Sequence, residues 1–195
     1  MIANTTLDIG LARIDITPPV GTTMVGYKAR QATAVSHDLR AEAIACRDGD
    51  EGWLLITSDT IGFPLPLTSH IRRRITERIG VPAEAIMVTG THTHSGPPTI
   101  MFRDDRVPEE DKPYMERLQA ALTDVAEMAW EGVRPGRLEC ATTAARDWMS
   151  NRRIQDADGN WANEWQDPEG KHPGFADPTV TLVGVRRDDG RLEGL

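Results

Sequence analysis

His92 and His94 stand two residues apart in Thr91-His92-Thr93-His94-Ser95-Gly96-Pro97-Pro98. In an extended segment side chains alternate between faces, so both imidazoles are expected on one side, with Thr91 and Thr93 on the other. Converging imidazoles suit a divalent metal, because zinc binds neutral imidazole nitrogen at about 2.0–2.1 Å and takes three or four protein ligands. The following Ser95-Gly96-Pro97-Pro98 turns the backbone sharply and leaves one side of such a site open. Spacing by itself leaves two readings standing: a metal-binding pair, or two half-buried histidines hydrogen-bonded to backbone. No third ligand can be picked out from spacing.

A strand must deliver this pair. Residues 85–88 form a continuous apolar run, expected as a strand covered on both faces, and in α/β sheets ligands gather beyond the carboxyl ends of strands. Residues 11–16 alternate in character and meet Thr17-Pro18-Pro19, where proline ends a ladder, so a first strand is predicted to stop near Thr17. Residues 20–31, with Gly21 and Gly26 and no apolar period, read as a surface loop. Residues 41–46 and 53–58 read as a hairpin closed by Arg47-Asp48-Gly49-Asp50. Ile71, Ile75 and Ile79 recur every four residues and predict a helix over 68–80, capped by Thr68 or Ser69 and closed by Gly80. A second helix is predicted from Asp111 as cap and Pro113, through the stripe Met115, Leu118, Leu122, Val125 and Ala129, to Gly132. Residues 138–144 and 180–185 are further strand candidates. Between them, polar residues 147–177 carry Trp148, Trp161, Trp165 and Phe175, the pattern of a lid or binding segment. The alternation predicts the α/β class, a mixed sheet with helices packed on it, in one domain over residues 1–195. Asp188-Asp189-Gly190 predicts a hairpin whose returning strand has barely begun by Leu195. The sequence is therefore expected to be the incomplete N-terminal portion of a larger catalytic domain, truncated at its C-terminus.

Composition narrows the class. The 195 residues carry 30 acidic and 22 basic side chains, a net charge of −8, with no basic stripe, which argues against a nucleic-acid partner. No 18 apolar residues run together, so no transmembrane segment is expected. The opening lacks the basic and apolar regions of a secretion signal, which favours a cytoplasmic location while leaving the compartment open. Cys46 and Cys140 are too few and too far apart for a disulfide scaffold or a CxxC site, and both read as buried thiols. Arg72-Arg73-Arg74 reads as a solvated helix face, and Asp156-Ala157-Asp158-Gly159-Asn160 as a turn, since it lacks the downstream glutamate of a calcium loop.

Several short motifs are similar, jointly and in order, to the N-terminal domain of the neutral/alkaline, non-lysosomal ceramidase family. They are the run Gly10-Leu11-Ala12-Arg13-Ile14-Asp15-Ile16-Thr17-Pro18-Pro19-Val20-Gly21, then Met24-Val25-Gly26-Tyr27, then Thr57-Ser58-Asp59 after an apolar strand, then the Thr91 to Pro97 motif, then Asn151-Arg152. The resemblance implies a zinc-dependent hydrolase that cleaves the amide of an N-acyl sphingoid lipid or a related small-molecule or lipid amide. It implies His92 as a zinc ligand, with His94 and Arg152 beside the metal and contacting substrate oxygens. In that setting His94 is a candidate proton shuttle, its ordinary pKa being about 6.5. Asp59 is a candidate acceptor that fixes an imidazole tautomer. His37, in Ser36-His37-Asp38, falls where the family often has a histidine and is a candidate for the site wall; His70 and His172 match no ligand position.

The family's other zinc ligands, a second histidine, a glutamate and a tyrosine, are expected downstream of Leu195. Residues 1–195 alone are accordingly expected to hold an incomplete site, with weak or no zinc binding and no turnover. Two other readings stay open: a non-catalytic ceramidase-like binding domain, and a different metallohydrolase. Against the second, Ser95-Gly96 stands where a metallo-β-lactamase-like site would carry an Asp-His pair, and the length does not complete an eight-stranded α/β barrel.

Overall fold

The computed structural model describes residues 7–28, 30–49, 51–100, 106–164, 172 and 174–194, so Asp50, Trp165 and Leu195, named above, lie outside the described residues. In chain order the strands and helices are β1 (Leu7–Asp15), β2 (Thr23–Met24), β3 (Arg30–Gln31), β4 (Arg40–Asp48), β5 (Glu51–Ser58), α1 (Leu65–Ile79), β6 (Ile86–Gly90), α2 (Lys112–Glu131), β7 (Arg134–Ala144), β8 (Arg153–Gln155), β9 (Trp161–Asn163), β10 (Thr179–Arg186) and β11 (Leu192–Glu193). The chain divides into two compact units, Met1–Arg137 with Val185–Leu195, and Leu138–Gly184.

A mixed seven-stranded sheet runs β11-β10-β7-β1-β4-β5-β6. β1 pairs antiparallel with β4 and β7, and β4 with β5 as the expected hairpin, Cys46 opposite Trp53. β5 and β6 are parallel, Ser58 opposite Gly90, and α1 makes the crossover between them that parallel strands require. Helix α2 packs across β1 and β4, with α1 beside it. Ala41, Ala43 and Ala45 of β4 are fully buried, small side chains that let α2 come close; Leu54, Ile56, Ile71, Ile75, Leu118, Leu122 and Val125 fill the space between. Each of these larger aliphatic side chains contributes about 1.5–3 kcal/mol by leaving water.

Both helices follow their apolar stripes but start by other means than expected. α1 begins at Leu65, three residues early, because Pro64 and Pro66 occupy positions where the first turn's N–H groups have no partner anyway. No side chain caps it, and Thr68 Oγ1 donates back to the Pro64 carbonyl at 3.3 Å. Asp111 does stand at the start of α2, yet its carboxylate turns away from the helix and accepts the Thr23 N–H, 3.3 Å from each oxygen. This carboxylate is 3% exposed, so it fixes the 20–32 loop, where β2 and β3 pair, to the helix. Arg78, in the last turn of α1, pairs with Asp124 and Glu127 of α2, both at 2.7 Å.

Strand β6 corrects the expectation of a strand covered on both faces. Among the described residues it is the outermost strand, only its Ile86 is buried, and Met87 is 58% exposed. Its apolar run reflects a short edge strand anchored at one end.

At the far side of the sheet, β10 and β11 form the expected hairpin, Arg186 opposite Leu192. Arg187, just beyond it, is 5% exposed; its Nη1 donates to the carbonyls of Ile9 and Arg134, each at 2.9 Å, and its Nε to Glu193 at 2.6 Å. The hydrogen bond from Arg187, aided by Arg134, holds the Glu193 carboxyl below the usual glutamate range.

In the second unit, β8 and β9 form a hairpin, Gln155 opposite Trp161, within a segment whose sequence reads as irregular. Its turn is the 156–160 segment, with Asp156 Oδ1 accepting the N–H groups of Asp158 and Asn160 at 3.0 and 2.8 Å. Cys46 is buried as expected, whereas Cys140 is exposed, because its part of β7 turns from core packing to solvent. Among the described residues no helix is long and apolar enough to cross a membrane.

Candidate functional site

The parallel pair β5 and β6 ends with both carboxyl termini on one side, where ligands collect in α/β sheets. Two segments leave there, 59–62 from β5 and 91–96 from β6, and hydrogen bonds knit them together. Thr91 N–H donates to the Ser58 carbonyl at 2.9 Å and His92 N–H to the Thr60 carbonyl at 3.0 Å. Asp59 joins them: Oδ1 accepts from Thr91 Oγ1 at 3.2 Å and Oδ2 from the Arg40 N–H at 2.9 Å.

His92 has a φ of 63°, the only positive φ outside glycine among the described residues. The segment is therefore not extended as expected, since left-handed backbone breaks strand alternation. The imidazoles converge all the same, with ring centres 5.0 Å apart and planes at 76°. His92 Nδ1 lies 2.7 Å from the Ile61 carbonyl, and because a carbonyl only accepts, this contact favours a proton on Nδ1, which in the neutral ring leaves the lone pair on Nε2. The acceptor on His92 Nδ1 is thus the Ile61 carbonyl, while the Asp59 oxygens accept from Thr91 and Arg40.

His94 is gripped from the 20–32 loop. The Tyr27 ring stands at 70° to its ring with centres 4.7 Å apart, and Arg30 donates to its carbonyl at 3.0 Å. Gly26, at φ 114°, passes so close that a Cβ there would lie 2.6 Å from His94 Cβ and Cγ. His94 Nδ1 is buried and makes no hydrogen bond. A buried polar atom left so costs about 1–3 kcal/mol and calls for an explanation, of which a bound group is one.

The donor chemistry fits a metal in part. His92 offers an imidazole nitrogen of the kind zinc takes, with the His94 ring centre 5.0 Å away. Among the described residues, however, no cluster of three or more His, Cys, Asp and Glu side chains is placed to hold an ion. His92 would supply one nitrogen with His94 beside it, and the further donors a zinc needs would come from outside the described residues.

His37 bonds Ser36 Oγ through Nδ1 at 3.1 Å and, with Thr17, Leu39, Thr93 and Ser95, lines a pocket of about 350 Å³ on the threonine flank of the same turn. His70 Nδ1 accepts from Arg73 at 2.8 Å on the outside of α1. Arg152 belongs to the second unit, where it is exposed and its carbonyl accepts the Glu164 N–H at 2.8 Å. Its neighbour Asn151 is structural: Oδ1 accepts the Arg153 N–H at 2.9 Å and Nδ2 donates to the Phe175 carbonyl at 3.0 Å. Sequence reasoning misses Ile61, Tyr27 and Arg30 as neighbours of the histidines. The Met24 to Tyr27 motif is the one signal for Gly26 and Tyr27, and a backbone acceptor such as Ile61 leaves none.

No family model and no curated protein matches the chain. Among solved structures, the chain is similar to a neutral ceramidase from Pseudomonas aeruginosa, with a TM-score of 0.70 and 19% identity over 97% of this chain and 31% of that one. It is also similar to a ceramidase complexed with C2, with a TM-score of 0.73 and 19% identity over 97% of this chain and 30% of that one. The fold is thus ceramidase-like, and the chain spans less than a third of the length of either structure.

Proposed function

We propose that this chain contributes to a zinc-dependent hydrolase of the neutral ceramidase type, which cleaves the amide of an N-acyl sphingoid lipid or a related amide. The observation that carries the reading is the His92–His94 pair, 5.0 Å apart at the carboxyl ends of parallel β5 and β6, one ring tautomerically fixed and the other with an unpartnered buried nitrogen. The ordered motifs and the ceramidase-like fold support it. When bound, zinc supplies a nucleophilic water near neutral pH and polarises the scissile carbonyl. His92 offers Nε2 toward the ion. His94, held by Tyr27 and Gly26, exchanges a proton with the substrate amide, and Arg152 binds a substrate oxygen, a role suited to its fixed donors. Asp59 keeps the turn in place through Thr91 and Arg40.

The test measures bound zinc and acyl-amide hydrolysis in the purified full-length protein and in the His92→Ala/His94→Ala variant. Loss of both zinc and hydrolysis is expected. Unchanged zinc content in the variant overturns the proposal in favour of a different metallohydrolase or a binding domain.

A further inference from the structure

The ring of His92 is held at two points by one short turn. Thr60, fully buried, accepts its backbone N–H at 3.0 Å, and the next carbonyl, that of Ile61, accepts Nδ1 at 2.7 Å. Where the Ile61 carbonyl points depends on the peptide plane between residues 61 and 62, and so on φ of Gly62. That φ is 143°, a region that glycine enters freely and residues with a Cβ enter only at a cost of about 1–3 kcal/mol. Space is not the reason for glycine: a Cβ at position 62 would meet only Ile100 Cδ1, at 3.2 Å, the movable tip of a side chain. The requirement is the backbone angle, and the angle serves the carbonyl.

We propose that Gly62 is a positioning residue that aims the Ile61 carbonyl at His92 Nδ1, locks that imidazole as its Nδ1–H tautomer, and so selects Nε2 as the nitrogen offered to a metal. The inference deepens the zinc reading, on which it rests, by assigning the donor atom and the residue that selects it. An alanine at 62 relaxes φ toward negative values, rotates the peptide plane and withdraws the acceptor. The imidazole then loses its reason to keep the proton on Nδ1. Ligating histidines whose second nitrogen loses its partner typically bind metal 10–100-fold more weakly.

Imidazole nitrogen–proton correlation spectra of the metal-free protein at about pH 8.5, above the ordinary histidine range, test this directly. Wild-type His92 is expected as the Nδ1–H tautomer, and the Gly62→Ala variant is expected to shift toward Nε2–H. In the full-length protein, chelator competition with zinc alone should show about 10–100-fold weaker binding for the variant. Gly80→Ala is the control, since Gly80 also has a positive φ, 77°, with nothing near its Cβ. It should lose comparable stability and leave tautomer and affinity unchanged. A wild-type Nε2–H tautomer overturns the proposal, as does a Gly62→Ala variant that keeps both the Nδ1–H tautomer and its zinc affinity. Should Gly62→Ala fail to fold, the wild-type spectrum decides on its own. The tautomer is read without metal or substrate, so its failure is distinct from that of the hydrolase reading, which turns on zinc content in the His92→Ala/His94→Ala variant.

Discussion

Replacing Gly26 by alanine puts a methyl group where His94 already is. The added Cβ would lie 2.6 Å from His94 Cβ and Cγ and 2.8 Å from its Cα, against an optimal carbon–carbon separation of about 3.5–4.0 Å. Two of those atoms belong to or adjoin the backbone, so rotating the imidazole does not relieve the clash. Overpacking of this kind costs about 1–3 kcal/mol. The φ of 114° adds about 1 kcal/mol of left-handed strain, and the total comes to about 2–4 kcal/mol. Gly21→Ala isolates the second contribution, because Gly21 has a φ of 96° with no atom within 4 Å of its Cβ position. It should cost about 1 kcal/mol. With a urea m-value of about 2 kcal/mol/M, the Gly26→Ala midpoint falls by about 1–2 M and the Gly21→Ala midpoint by about 0.5 M. In a His94→Gly background, which removes the two nearest contacts, the Gly26→Ala penalty should shrink toward that of Gly21→Ala. Equal penalties for the two alanine variants in the wild-type background would refute the argument that Gly26 exists to admit His94.

Three further outcomes follow from the packing and charge. Leu122→Ala, at a fully buried position on the α2 stripe, should destabilise by about 2–5 kcal/mol in urea unfolding, and a loss under about 1 kcal/mol would contradict the assigned core. Glu193 has its carboxyl pKa lowered by Arg187, so its contribution is fully present above the unfolded glutamate value of about 4.3 and is lost as pH falls below it toward the folded value. Glu193→Gln should accordingly flatten the acid side of the stability-versus-pH curve, and an unchanged acid limb counts against the pairing. Burial, then Asp48 and Asp8, raises the Cys46 thiol pKa, while Cys140 is exposed. A thiol reagent should therefore modify Cys140 in the native protein and Cys46 only on unfolding; the reverse order would show the burial to be misassigned.

What the sequence makes legible is periodicity and punctuation. The α2 stripe, the β4–β5 hairpin and the Gly80 stop of α1 each follow from side-chain spacing or from a residue with a distinctive backbone preference. Edge position leaves no such mark: residues 86–88 have the composition of a covered strand, yet whether a further strand pairs beyond β6 depends on topology. Cap chemistry is legible in type and not in partner, since Asp111 satisfies Thr23, 88 residues away, instead of its own helix. At the site, alternation anticipates the convergence of His92 and His94, whereas the molecule achieves it with a left-handed residue and a carbonyl borrowed from β5's exit. Backbone acceptors are common to every residue, so Ile61 cannot be singled out before the chain is folded.

The guanidinium of Arg187 reaches the carbonyl of Ile9 across 178 positions of sequence. β1 sits mid-sheet, with β4 on one side and β7 on the other, so its second flank stays unpaired until Arg134 and its followers have left the ribosome. The arginine latch cannot close until Arg187 itself has emerged, after residues 138–184. Contacts of such long separation are entropically late and slow to form. An order is thus written into the topology of these residues: helices and the β4–β5 hairpin first, the β1–β7 seam next, and the clasp of Arg187 on the first strand after both.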